Sequence, residues 1–182
     1  MAGGCAAAAG PAVAQAQAQA QGVPFQLFGY GAAEIFPLSN LSLITWLLLV
    51  VLPGWEYTRY AALIAPVVNA LLYAAALVHL LTHPAPDAPP VDFGSLDGIV
   101  TAFRNPDGVL AGWLHYCVFD PLVGLGIVLD SQQQRVSHAL VVPCLFLTLL
   151  FGPVGFLSYL ALRTGTLALR GGAGGGGAGQ AA

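Results

Sequence analysis

Long apolar runs separated by short polar breaks dominate this chain. Crossing about 30 Å of hydrocarbon as a helix takes roughly 20 apolar residues, and four stretches meet that length. The first runs from about Ile35 to Pro53, has its apolar centre at Thr45–Leu52, and ends at Pro53-Gly54, with Trp55 and Tyr57 suited to an interfacial belt beyond it. The second, Tyr60 to Leu81, carries Pro66, Asn69, Tyr73 and His79. His83 to Asp92 reads as an aqueous loop. Ser95 to Phe103 then places Leu96, Ile99, Val100 and Phe103 at the spacing of a short amphipathic helix. Asn105-Pro106-Asp107-Gly108 is a turn and helix start, opening a third span from Val109 to about Leu129. After the short polar segment Asp130–Ser137, the fourth span, His138 to about Leu162, is expected to pack antiparallel beside the third. The fold class is therefore all-α: an integral membrane bundle of four transmembrane helices, with a short amphipathic helix between helices 2 and 3.

Composition narrows the function. The chain is 57% hydrophobic and 7% charged, where a soluble domain is about a quarter charged. Five arginines, no lysine and a net charge of −3 cannot hold a phosphate backbone, which excludes nucleic-acid binding. With four spans, Arg104, Arg163 and Arg170 fall on the side of the termini and Arg59 and Arg135 on the other, so the arginines do not set an orientation. Residues 1–34 and 164–182 read as Ala/Gln/Gly-rich and Gly-rich disordered tails around a domain at 35–163. The first thirty residues contain no serine and no basic side chain, unlike a secretory signal or a transit peptide. Cys5, Cys117 and Cys144 lie far apart and write neither a disulfide framework nor a redox motif.

An ionisable side chain inside a membrane costs free energy, so these residues are the first candidates for function. The third span holds Trp113, His115, Tyr116, Phe119 and Asp120 within eight positions. At about 100° per residue, Tyr116 and Asp120 stack on one face, and His115 lies about 140° around from Asp120. Pro121 cannot donate to the Cys117 carbonyl, so a kink with a free carbonyl is expected beside the Asp120 carboxyl. The competing reading makes His115, Asp120 and Asn69 interhelical hydrogen-bonding glue. Asn40, at the entrance to the first span, suits a local cap, and His79, His83 and His138 suit interfacial positions. The fourth span contains Pro143, Gly152, Pro153 and Gly155, so it is expected to be bent and closely packed. Its rings Phe146, Phe151, Phe156 and Tyr159 either line an apolar slot or face lipid. Asp92-Phe93-Gly94 copies a kinase tripeptide without the surrounding fold, and no metal-binding spacing or nucleotide fingerprint is present.

Two runs carry a family resemblance. Gly112-Trp113-x-His115-Tyr116-x-x-Phe119-Asp120-x-x-Val123-Gly124 followed by Asp130, and Pro143-x-Leu145-Phe146-Leu147-Thr148-x-x-Phe151-Gly152-Pro153-x-Gly155, resemble the ABA4-like membrane proteins. The likeness extends more loosely over Phe36–Asn40, Trp46, Leu52-Pro53, the Pro66 span and Gly94–Pro106, covering about residues 35 to 163. It implies a four-span plastid or bacterial membrane protein, whose plant members are required to convert violaxanthin to neoxanthin on the route to abscisic acid. For a plant member it implies a multi-pass protein of the chloroplast envelope or thylakoid, in contact with lipid, a carotenoid and a carotenoid-pathway partner protein.

Turning an epoxide end group into an allenic alcohol is redox-neutral, so its balance calls for no cofactor. It needs an acid at the epoxide oxygen and a base at the vinylic C7 proton. Asp120 is the candidate donor, His115 the base, and Tyr116 an alternative donor. Asn69 and Asn40 are placed to orient the hydroxylated ring, with Trp113, Phe119, Phe146 and Phe151 against the polyene. The alternative is a non-catalytic carotenoid-binding or assembly subunit, which uses the same rings and makes His115 and Asp120 anchors. A transporter is weaker, because spans one and two do not repeat in three and four.

Overall fold

A computed structural model describes residues 23–84 and 92–175; the low-complexity ends and most of the aqueous loop lie outside the described residues. In chain order the elements are β1 (Gln26–Leu27), β2 (Tyr30–Gly31), α1 (Ala32–Ile35), a 3-10 helix (Phe36–Leu41), α2 (Ser42–Val51), α3 (Thr58–Thr82), α4 (Leu96–Ala102), α5 (Pro106–Gln133), α6 (His138–Phe151) and α7 (Pro153–Gly175). The expected all-helical class holds, and the short helix between the second and third spans is α4. Three stretches are long and apolar enough to cross a membrane: Ala32–Val51, α3 and α5. The expected fourth span is corrected: it is two helices, divided at Gly152. Residues 23–34, grouped with the tail by composition, hold a hairpin and a helical turn, and α7 continues through residues 164–175.

The chain divides into two compact units, Met1–Pro37 with Leu72–Trp113, and Leu38–Leu71 with Leu114–Ala182. In the first, β1 and β2 pair as a two-residue hairpin, with Phe28 and Gly29 both at positive φ as a tight primed turn requires. Phe25 is buried, and its N–H donates to Asp107 Oδ2 at 2.8 Å. His79 Nε2 lies 2.9 Å from the Val23 carbonyl oxygen and its ring packs edge-on to Phe25. The Ser95 hydroxyl caps α4 by accepting from the Gly98 N–H, while the Asp92 carboxylate accepts from the Ser95 hydroxyl and the Gly94 N–H. These bonds hold the Asp92 carboxyl below the usual carboxylate range. Pro106 opens α5, where its missing N–H leaves nothing unpaired, and Asn105 Oδ1 caps the Asp107 N–H at 2.9 Å.

In the second unit, α2 and α3 form an antiparallel pair around small and polar residues. Pro66 cannot donate to the Ala62 carbonyl, and the Thr45 hydroxyl supplies the missing bond at 3.0 Å. Thr45→Val is therefore expected to cost about 1–3 kcal/mol, read as a lower thermal midpoint in detergent, because a buried carbonyl loses its donor. Gly124 of α5 receives the Trp46 ring, 2.7 Å from where a Cβ would stand. Trp46, Leu49, Leu125, Val128, Val141 and Leu145 belong to one buried core. Gln132 Nε2 donates to the Pro53 carbonyl, and a His138 ring nitrogen lies 3.0 Å from the Val50 carbonyl oxygen, joining the connecting loops at one end.

The outward faces of this unit are Leu43, Ile44, Leu47, Ile64, Val67 and Leu71. Large apolar side chains are thus exposed on the outside as well as packed in the core, a distribution that suits hydrocarbon rather than water.

Candidate functional site

The break between α6 and α7 builds the site. Pro153 has no N–H to continue the α6 ladder, and Gly152 takes φ +40, where any L side chain is strained. The Gly152 N–H closes α6 on the Thr148 carbonyl at 2.8 Å, and the Gly155 N–H closes on the Gly152 carbonyl at 3.1 Å. The chain then turns back. A Cβ on Gly155 would lie 2.1 Å from the Thr148 backbone nitrogen, so the first turn of α7 lies directly on the last turn of α6. Further on, Tyr159 joins Cys144 and Val141 in the core. Arg170 donates to the Gln134 and Arg135 carbonyls, both at 2.7 Å, so α7 ends beside the residues that precede α6.

Asp130 fastens the returning helix to α5. Its carboxylate accepts from the Tyr159 hydroxyl and from Arg163 Nε at 2.8 Å. Sequence reading named Tyr159 only for an apolar slot or lipid and Arg163 only in the arginine tally; Tyr159 is instead buried in the core, and both bond Asp130, which they follow by 29 and 33 residues.

Asp120 meets the tip of the turn. Its Oδ1 lies 3.1 Å from where a Gly152 Cβ would stand, within a residue of the amino end of α7. Irregular backbone at membrane depth occurs where it is enclosed by protein or lines a cavity, and half-helix ends there face ligands.

Buried polar residues accompany Asp120 in this unit: Ser39, Ser42, Thr45, Asn69 and Thr148 are all enclosed. The Thr45–Ala62 bond sets the α2–α3 register, and about 10 Å along each chain from it lie Ser39 and Asn69. Asn69 is 0% exposed, and both atoms of its amide lack a hydrogen-bond partner among the described residues. An unpaired buried amide costs about 1–3 kcal/mol. Asn69→Leu, close to isosteric in heavy atoms, is therefore expected to raise the thermal midpoint in detergent while lowering function; a lowered midpoint would mean that the amide is structurally paired.

The other sequence candidates take different positions. His115 is exposed, its ring 4.5 Å from Phe119. Tyr116 is 60% exposed, next to His115 on the outer face of α5. Trp113 belongs to the first unit, where its ring lies 5.7 Å from Phe36. Asn40 is exposed on the 3-10 helix, while its neighbour Ser39 is buried. Phe146 and Phe151 are exposed on α6. Ser39, Ser42 and Thr148 were not singled out as site residues, yet the first two follow the spacing of Thr45 and Leu49 along one face, a signal the sequence carried. A cleft of about 510 Å³ lined by Trp55, Glu56, Arg59, Leu125 and Gln132 begins five residues or roughly 8 Å further along α5 than Asp120.

The ABA4-like family model, described as ABA DEFICIENT 4-like, matches residues 34–159. The chain belongs to the ABA4-like family. No curated relative and no solved structure is similar enough to match. The matched region of this ABA4-like protein takes in Asn69, His115, Asp120 and the Gly152 break, and it ends at Tyr159.

Proposed function

We propose that this ABA4-like protein isomerises the 5,6-epoxide end group of a violaxanthin-like xanthophyll to the allenic end group of neoxanthin. The observation that carries the reading is the Asp120 carboxyl held against the Gly152 break; the buried, unpaired Asn69 amide of the same unit is the second polar group the reading uses. A long apolar polyene reaches that point from the lipid along α5, where Phe119 and His115 lie on the outer face.

The atoms balance without an oxidant or reductant. Asp120 protonates the epoxide oxygen as the C6–O bond breaks, and His115 removes the C7 proton as the C6–C7 double bond forms. Asp120 then regains a proton and His115 loses one, so the protein ends as it began. Asn69 pairs its amide with the ring hydroxyl, which offsets the penalty of leaving it bare. Tyr116 is the alternative donor, and Tyr116→Phe separates the two. The reading carries with it a plastid membrane location and the carotenoid-pathway surroundings of the substrate.

The test is the purified protein in detergent with violaxanthin and nothing else, followed by pigment chromatography. Neoxanthin formed in proportion to protein supports an isomerase. Violaxanthin that co-purifies unchanged would make the chain a pigment-binding subunit.

A further inference from the structure

The return of α7 changes how the chain is threaded through a membrane. A helix of 14 residues such as α6 is about 21 Å long, short of the roughly 30 Å of hydrocarbon. Its far end is the Gly152 turn, and α7 runs back until Arg170 bonds the Gln134 and Arg135 carbonyls at the end of α5. At the turn Gly152 is buried against Asp120 and Gly155 against Thr148, and the Gly152 carbonyl accepts from the Gly155 N–H, while Phe151, Pro153 and Val154 are exposed. Irregular backbone inside a bilayer is tolerated where protein encloses it, as it does at these two glycines.

We infer that α6 and α7 form a re-entrant pair that enters and leaves on one side, and that the α2–α3 loop, the α5–α6 connection and the carboxyl end of α7 face the anionic leaflet on the side from which the protein is inserted. Three complete spans precede the pair, so the two termini lie on opposite sides. The arginines then divide four to one. Arg59 follows the α2–α3 loop and lines the cleft with Gln132, whose amide bonds Pro53 in that loop. Arg135 follows α5 directly, and Arg163 and Arg170 return to the same end through Asp130 and the Gln134 and Arg135 carbonyls. Arg104 alone precedes the start of α5. In a four-span reading the same residues divide three to two, because a straight fourth span carries Arg163 and Arg170 across. The excess of arginine near span ends decides orientation, and the anionic leaflet attracts it.

The experiment uses the full chain in a bacterial inner membrane, with one epitope tag at each end, and protease applied to right-side-out and inverted vesicles. The expected result is that the carboxyl-terminal tag is cut only in inverted vesicles and the amino-terminal tag only in right-side-out ones. Both tags cut from the same side would overturn the re-entrant pair, since that is the outcome of four complete spans. Tags on opposite sides with the carboxyl end outside would overturn the orientation. Neither outcome depends on whether the protein converts violaxanthin.

Discussion

Asp120→Asn is expected to lower neoxanthin formation by about 10²- to 10⁴-fold in a violaxanthin-containing host, at equal protein level and unchanged thermal midpoint. The amide keeps the size and most of the hydrogen bonding of the carboxyl but has no acidic proton for the epoxide oxygen. The site leaves little freedom for a substitute. Asp120→Glu retains the acid but moves it by one methylene relative to the Gly152 turn, and is expected to recover only part of the activity. His115→Ala removes the base and is expected to cost a comparable factor. Undiminished product from both Asp120→Asn and His115→Ala would take these residues out of the chemistry.

The largest effect on folding is expected from Gly155→Val. Its Cβ would stand 2.1 Å from the Thr148 backbone nitrogen and 2.2 Å from the Thr148 hydroxyl oxygen. A flexible side chain can rotate away from such an overlap, but backbone cannot, so the helices must separate. Overpacking typically costs 1–3 kcal/mol, and this site belongs at or above about 3 kcal/mol. Separation also pulls Tyr159 and Arg163 from Asp130, leaving a partly buried carboxylate without its partners. Gly126→Ala is the contrast: nothing lies within 4 Å of its Cβ position, and removing a helical glycine is expected to be neutral or to stabilise by up to about 1 kcal/mol. Thermal midpoints of the two variants in one detergent decide the matter. A Gly155→Val protein that melts with the wild type would show that α6 and α7 do not pack face to face.

Sequence alone determined the membrane class and the limits of three of the four apolar stretches. An apolar run of about 20 residues in hydrocarbon can satisfy its backbone only as a helix, so length and hydropathy locate it without knowledge of its neighbours. It also located Asp120 and Asn69, because polar residues stand out against such runs. What it did not settle was the path of residues 138–170. An apolar length filter passes that stretch whether the chain continues straight or reverses at Gly152-Pro153, because both paths bury the same residues in the same solvent. The direction is decided by contacts far apart in the chain: Gly155 on Thr148, Tyr159 and Arg163 on Asp130, Arg170 on the Gln134 and Arg135 carbonyls. The same contacts bring the break to Asp120, so a carboxyl that the sequence already offered as a proton donor gained its neighbour, the Gly152 turn, only in the folded chain.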